Sequence, residues 1–155
     1  MRIGVIVYSQ TGHTLQVAER VKERLIGEGH SVALEQITVA GGRTPKTKEF
    51  ELDARPSVDA YDAIVFASYV EAFSLCAVMA RYLKQMGSLR GKQVACLVTQ
   101  QFPYPWMGGS RAIKQMKQIC QSKGAVARAT GIVNWAQFRR EVTMAAAVDR
   151  IGKAF

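Results

Sequence analysis

The fold is decided by the stretch Ile3-Gly4-Val5-Ile6-Val7-Tyr8-Ser9-Gln10-Thr11-Gly12-His13-Thr14. Its first half is a continuous apolar run rich in β-branched residues, which is typical of a strand buried on both faces of a parallel sheet. After Thr14, apolar residues recur at helical spacing as far as Leu25, and Gly27 and Gly29 then predict the end of the helix. The stretch therefore predicts a strand, a polar loop and a helix in succession.

The loop Ser9–Thr14 has a composition suited to binding a phosphate. A helix N-terminus presents unpaired backbone N–H groups and the positive end of the helix dipole. Ser9, Thr11 and Thr14 add hydroxyl donors, and Gly12 permits a close approach of the backbone. Ordinary helix capping is the alternative interpretation, because these residue types are common at caps and turns. The loop lacks the motifs of nucleoside-triphosphate and dinucleotide sites, so the predicted ligand is a phosphomonoester.

The rest of the chain alternates strands and helices. Apolar runs predict further strands at 30–39, 61–68, 93–99 and 125–133, and helical patterns cover 75–86, 109–123 and 138–151. This alternation predicts an α/β fold: a single doubly wound, five-stranded parallel sheet with helices on both faces. Between residues 40 and 57, Gly41, Gly42, Pro45 and Pro56 predict an irregular crossover instead of a helix.

A first strand followed by Ser-x-Thr-Gly-x-Thr at residues 9–14 and then by a helix resembles the flavodoxin family. In that family the matching loop binds the phosphate of flavin mononucleotide (FMN). The order of strands and helices matches the family over the whole chain, whereas the residue motif matches only in the first loop. It implies the strand order 2-1-3-4-5, an FMN cofactor, and electron transfer through the flavin.

In that strand order a ligand lies beyond the carboxyl ends of strands one and three, which selects three loops. By the resemblance, the second and third loops flank the isoalloxazine ring of the flavin. Their aromatic residues offer stacking surface for a planar ring, with Tyr69 and Trp106 as the best candidates, although packing onto the sheet edge is the alternative. The candidate cofactor-binding residues are Ser9, Gln10, Thr11, Gly12, His13 and Thr14; Ser68, Tyr69, Val70, Glu71, Ala72 and Phe73; and Thr99, Gln100, Gln101, Phe102, Tyr104, Trp106, Gly108 and Gly109.

The second loop departs from the family pattern. Many flavodoxins have a glycine there whose peptide bonds N5 of the half-reduced flavin, and no glycine occurs between Ser68 and Leu75. The sequence predicts no catalytic acid or base and no metal site, since His13 and His30 are few and well separated. Cys96 and Cys120 lie within a predicted strand and helix and are interpreted as buried thiols; Cys76 lies near the second loop, where a small apolar side chain is favoured over a redox role.

Charge is distributed unevenly along the chain, whose net charge is +9 and pI about 9.8. The sequence from Val78 onward contains 13 basic and 2 acidic residues. The helices at 75–86 and 109–123 are expected on one face of the sheet, because crossovers between parallel strands are right-handed. That face is predicted to be basic through Arg81, Lys84, Arg111, Lys114 and Lys117. Such a surface steers anionic partners, here an acidic redox protein or an anionic dinucleotide donor.

These observations leave three classes of function. The first is an FMN-binding redox protein that passes electrons between proteins, and the second is an FMN-dependent NAD(P)H:quinone-type oxidoreductase. A basic nucleic-acid-binding module is a distant third, suggested by the pI alone. The 155 residues are expected to form a single domain, 1–155. With no apolar stretch of about 20 residues and no signal-peptide pattern, a cytoplasmic location is expected. The oligomeric state stays open.

Overall fold

The computed structural model describes residues 1–41, 50–101, 104, 106–136 and 139–155. Its strands are β1 (Arg2–Val7), β2 (Ser31–Gln36), β3 (Ala63–Glu71), β4 (Ser74–Leu75), β5 (Gln93–Gln100) and β6 (Val126–Asn134). Its helices are α1 (His13–Gly27), α2 (Ala77–Gln85), α3 (Gly109–Ser122) and α4 (Arg139–Gly152).

Five strands form a parallel sheet in the order β2-β1-β3-β5-β6. Counting only the parallel strands, this is the predicted order 2-1-3-4-5. Strand β1 lies between β2 and β3, with Val5 opposite both Leu34 and Val65. The prediction from the opening apolar run is therefore confirmed, since Ile3, Val5, Ile6 and Val7 are fully buried.

Helices cover both faces of this sheet. Side chains of α2 and α3 pack with Ile6, Phe66 and Val98 on one face, and those of α1 and α4 pack with Val5 and Leu97 on the other. Successive residues of a strand point to opposite faces, so neighbours such as Val5 and Ile6 belong to different cores. The prediction that the second and third described helices share a face is confirmed.

The first and last helices are joined by ion pairs. Arg20 lies 3.2 Å from Glu141, and Arg24 lies 3.1 Å from Asp149. Asp149 is also paired with Lys153, within α4. Helix α4 therefore has its two carboxylates neutralised, one of them by α1 and the other by α1 and a neighbouring lysine.

The predicted count of five strands is corrected by a short sixth strand. β3 runs three residues beyond the predicted end at Ser68, and β4 pairs antiparallel with it through Val70–Leu75 and Glu71–Ser74. Because Ser74 and Leu75 belong to this hairpin, α2 begins at Ala77 and not at Leu75. The segment Ser68–Ser74 is thus mostly sheet, where the sequence predicted a loop.

The predicted irregular crossover is partly described. Residues 50–57 contain no helix, and an isolated antiparallel bridge joins Val39 to Leu52. Residues 42–49, which include Gly42 and Pro45, lie outside the described residues, as does Phe138 at the predicted start of the last helix. Among the described helices, none combines the length and apolar character needed to cross a bilayer.

Candidate functional site

The loop between β1 and α1 is organised by Ser9. Its hydroxyl oxygen accepts hydrogen bonds from the N–H groups of Gly12, at 3.1 Å, and Leu15, at 3.3 Å. Gly12 precedes the helix with a φ of +90°, a conformation that a side chain disfavours. Among the described residues, the backbone N–H groups of Thr11, His13 and Thr14 have no hydrogen-bond partner. Three donors are therefore available at the positive end of α1.

Thr14 ties this loop to the end of β5, two strands away from β1 in the sheet. Its side chain is buried, and its hydroxyl shares a hydrogen bond of 2.8 Å with the hydroxyl of Thr99, at the end of β5. The hydroxyl of Thr14 was expected to face a phosphate; in the structure it joins two of the three candidate loops. Gln101 makes a second link, since its amide nitrogen lies 3.3 Å from Nδ1 of His13.

The β3–β4 hairpin forms the second wall of the site. Its two-residue turn places Ala72 and Phe73 at φ values of +49° and +62°. Such a turn usually contains Asn or Gly, because β-carbons disfavour positive φ. Ser68 is fully buried at the base of this wall, whereas Glu71, Ala72 and Phe73 are exposed.

Gly108 joins this hairpin to the loop before α3. A β-carbon built on Gly108 would lie 2.6 Å from Cγ1 of Val70 and 2.8 Å from Cα of Phe73. Its φ of +118° is also unsuited to other residues. Gly109 is equally confined, since a β-carbon there would meet the side-chain oxygen of Gln100 at 2.4 Å. The two loops on either side of the predicted flavin ring are thus in direct backbone contact.

A pocket of about 290 Å³ opens between these segments. Its walls come from all three candidate segments, at the carboxyl edge of β1, β3 and β5. The lining residues are Gln10, Thr11, His13, Thr14, Tyr69, Val70, Glu71, Thr99, Gln100 and Gln101. The structure therefore brings ten of the candidate residues around one cavity at the predicted position.

Known proteins match this chain in structure but not in sequence. No protein-family model matches it, and none of the curated proteins does. Oxidised flavodoxin 2 from Bacillus cereus superposes with a TM-score of 0.69 at 18% identity, covering 100% of both chains. A flavoprotein from Lactobacillus acidophilus, solved in complex with FMN, gives a TM-score of 0.64 at 17% identity over 84% of this chain and 92% of its own. Two-electron reduced flavodoxin from Megasphaera elsdenii gives 0.65 at 17% identity over 98% and 96%.

The chain has the flavodoxin fold. Within that fold, several candidate residues lie beside the pocket without lining it. Ser9 and Gly12 shape the first loop, Ser68 supports the hairpin, and Gly108 and Gly109 allow close packing. Ala72 and Phe73 form the hairpin turn. Phe102 lies outside the described residues, together with Pro103 and Pro105.

The two preferred stacking candidates have different surroundings. Tyr69 lines the pocket, but its ring packs 5.8 Å from that of Tyr8 and its hydroxyl is buried beside the Cys76 thiol. Burial raises the pKa of the Tyr69 hydroxyl, so it is a neutral phenol at physiological pH. Trp106 is 75% exposed and stacks on Tyr104, with 5.6 Å between ring centroids. Tyr104 and Trp106 together present an aromatic surface to solvent outside the pocket.

Sequence reasoning missed Trp135, at the end of β6. Its indole is buried and stacks on the imidazole of His13, 4.2 Å away, and the guanidinium of Arg140 lies 4.5 Å from the indole centroid. Burial, and then the charge of Arg140, lower the pKa of His13. The available signal was the position of Trp135 two residues after the fifth predicted strand, at the same edge of the sheet as the three selected loops.

The three cysteines are free and buried, as predicted for Cys96 and Cys120. Burial raises the pKa of Cys76, next to the hairpin, so its thiol is protonated and unreactive at neutral pH. In the part of the chain that the structure describes, no group of three or more His, Cys, Asp or Glu side chains is placed to hold a metal ion.

Proposed function

We propose that this chain binds FMN in the pocket at the carboxyl edge of the sheet and transfers electrons through the flavin. The observation that carries the proposal is the set of three backbone donors, from Thr11, His13 and Thr14, that open at the start of α1 beside the pocket. Such donors bind a phosphate group without a cationic side chain. The Lactobacillus acidophilus flavoprotein of the same fold was solved with FMN, which supports this ligand.

The residues present suit the two ends of FMN. The β1–α1 loop would hold the phosphate through its N–H groups, with the hydroxyl of Thr11 as a further donor on the pocket wall. Tyr69, Val70 and Gln100 would contact the ring system, since they line the pocket on β3 and β5. The Thr14–Thr99 hydrogen bond keeps the phosphate loop and this wall at a fixed separation. When bound, a flavin accepts and releases electrons singly or in pairs.

The phosphate assignment is tested by adding one charge to the loop. Thr11 is exposed, so Thr11→Glu places a carboxylate near the three donors, and Thr11→Gln is the neutral control of similar size. Repulsion of the phosphate at the surface is worth about 1–2 kcal/mol, so the Kd for FMN should rise roughly tenfold in the Glu variant relative to the Gln variant. Quenching of flavin fluorescence measures both constants.

Riboflavin, which lacks the phosphate, is the matched ligand. Its affinity should be the same in the two variants. An equal loss of FMN and riboflavin would place the phosphate elsewhere, and a wild-type protein that quenches neither flavin would refute the proposal.

The exposed aromatic pair favours a second candidate, the FMN-dependent NAD(P)H oxidoreductase. Tyr104 and Trp106 stack outside the pocket, and the guanidinium of Arg139 lies 6.0 Å from the centroid of Tyr104. Planar aromatic surface beside a cation suits a base and phosphate of a dinucleotide donor. Steady-state oxidation of NADH or NADPH by the FMN-loaded protein distinguishes this enzyme from an electron carrier. In the enzyme, Trp106→Ala should raise the KM for the dinucleotide.

A further inference from the structure

The two helical layers of the sheet differ in charge. Helices α1 and α4 contain residues of both signs, and all four ion pairs among the described residues involve this layer. The two acidic residues that follow Val78, Glu141 and Asp149, both lie in α4 and are both paired there.

Helices α2 and α3 contain no acidic residue. Arg81 is held against Phe50, with its guanidinium over that ring and donating to the Phe50 carbonyl. Nζ of Lys123 donates hydrogen bonds to the backbone carbonyls of Lys84 and Met86, which lie at the C-terminal end of α2. In the described part of the molecule, the four remaining side-chain cations of this layer have no carboxylate partner: Lys84, Arg111, Lys114 and Lys117.

Two adjoining depressions lie on the surface of these helices and share Gln118. One, of about 310 Å³, is lined by α3 alone, and the other, of about 230 Å³, lies between α2 and α3. Lys114 and Lys117 line the first depression from α3, and Lys84 lines the second from α2. Both depressions combine polar and apolar lining with at least one lysine, and we call the two together the α2–α3 groove.

The groove is connected to the wall of the pocket. Gln115, between its lysines, accepts a 2.8 Å hydrogen bond from the backbone N–H of Leu75 in the β3–β4 hairpin. The same hairpin supplies Val70 and Glu71 to the pocket. A macromolecule seated on the α2–α3 groove would therefore lie beside the proposed flavin site.

We infer that the α2–α3 groove docks an acidic protein that exchanges electrons with this chain. The inference rests on the proposed function for the exchange of electrons, whereas the docking itself rests on charge. Unpaired lysines and the absence of carboxylates from both helices complement an acidic surface and accelerate encounter with it. Single-stranded nucleic acid is disfavoured as the occupant, because α3 has no aromatic residue for base stacking and Tyr82 of α2 is buried.

Two double variants separate a local effect from one of overall charge. Lys84→Glu with Lys114→Glu reverses one exposed lysine in each of the two depressions. Arg128→Glu with Arg150→Glu makes the same change on β6 and α4, away from the groove. Each pair replaces two positive charges with two negative ones and lowers the net charge from +9 to +5.

The assay follows electron transfer by stopped flow with the FMN-loaded protein. A reduced acidic [2Fe–2S] ferredoxin is the donor, and each ferredoxin molecule gives one electron to the flavin. At low salt the Lys84/Lys114 variant should react about tenfold more slowly than wild type, and the difference should disappear at high salt. The Arg128/Arg150 variant should stay within about twofold of wild type.

Equal slowing by both pairs would assign the effect to overall charge, and no slowing by either would leave the groove without a role in docking; each result overturns the inference. Titration with a 20-nucleotide oligothymidine tests the other occupant. Tight binding that the Lys84/Lys114 variant alone loses, with an unchanged ferredoxin rate, would give the groove to nucleic acid. If the protein binds no FMN, the proposed function fails separately. The docking can still be tested on the flavin-free chain, because polyglutamate should compete with the ferredoxin for binding to the groove.

Discussion

Replacing Gly108 by alanine should destabilise the protein strongly, because the two loops beside the pocket meet at this residue. The new β-carbon would lie 2.6 Å from Val70 Cγ1 and 2.8 Å from the Cα of Phe73, and the second neighbour is backbone that cannot rotate away. Overpacking of this kind costs about 1–3 kcal/mol. The φ of +118° adds strain of about 1–3 kcal/mol for a residue with a β-carbon.

The free energy of unfolding should therefore fall by about 2–6 kcal/mol. Urea denaturation followed by circular dichroism measures it, with m-values compared to confirm that the same amount of surface unfolds. Gly87→Ala is the matched control, since a β-carbon there meets nothing within 4 Å. Its change should stay within about 0.5 kcal/mol.

The same substitution should also move the hairpin relative to the pocket. Because both ring-flanking loops would shift, FMN and riboflavin should lose affinity by similar factors in the Gly108→Ala variant. A loss of stability under about 1 kcal/mol would show that the backbones of Val70–Phe73 and Gly108 separate at little cost, and would refute the direct contact.

Two further predictions concern the walls of the pocket. In NMR titrations the midpoint of His13 should lie below that of histidine in an unstructured peptide, because burial and Arg140 oppose its protonation. FMN should raise this midpoint and riboflavin should not; an unchanged midpoint with FMN would place the phosphate away from the loop. Since the neutral form of His13 is favoured in the folded protein, its contribution to stability should be lost as pH falls through about 6.5, and His13→Gln should flatten the stability profile there. Ala72→Gly should raise the free energy of unfolding by about 0.5–1 kcal/mol by relieving a φ of +49°, whereas Ala146→Gly, exposed in α4, should lower it by about 0.5–1 kcal/mol; a loss in both would contradict the turn geometry.

The alternation of strands and helices followed from local sequence, whereas the strand order and the three selected loops came from the flavodoxin resemblance. The apolar run from Ile3 to Val7 and the polar loop after it predict a buried strand followed by a loop and a helix. The alternation of later strands and helices then allows few topologies. The irregular character of residues 50–57 was also predictable, because Pro56 and the nearby polar residues oppose a helix.

The hairpin was not predictable by the same reasoning. Ala72 and Phe73 are poor residues for a turn with positive φ, so local preference gave no signal for β4. The contacts that organise the pocket were hidden for another reason, since they join distant residues: 85 positions separate Thr14 from Thr99. Trp135 was not predicted because the switch-point rule selects loops after other strands than the fifth parallel one.

The pairing of α1 with α4 has a consequence for biosynthesis. A ribosome adds 121 residues between Arg20 and Glu141, which takes about 6–24 s at ordinary rates of elongation. During that time Val17, Val21 and Leu25 of α1 lack the side chains of α4 that cover them in the finished protein. The α2–α3 layer can pack onto the sheet earlier. The nascent chain should therefore have one sheet face covered by helices while the apolar side chains of α1 on the other face are still exposed. Until α4 is made, α1 is therefore a site at which chaperones that bind exposed apolar helices could act.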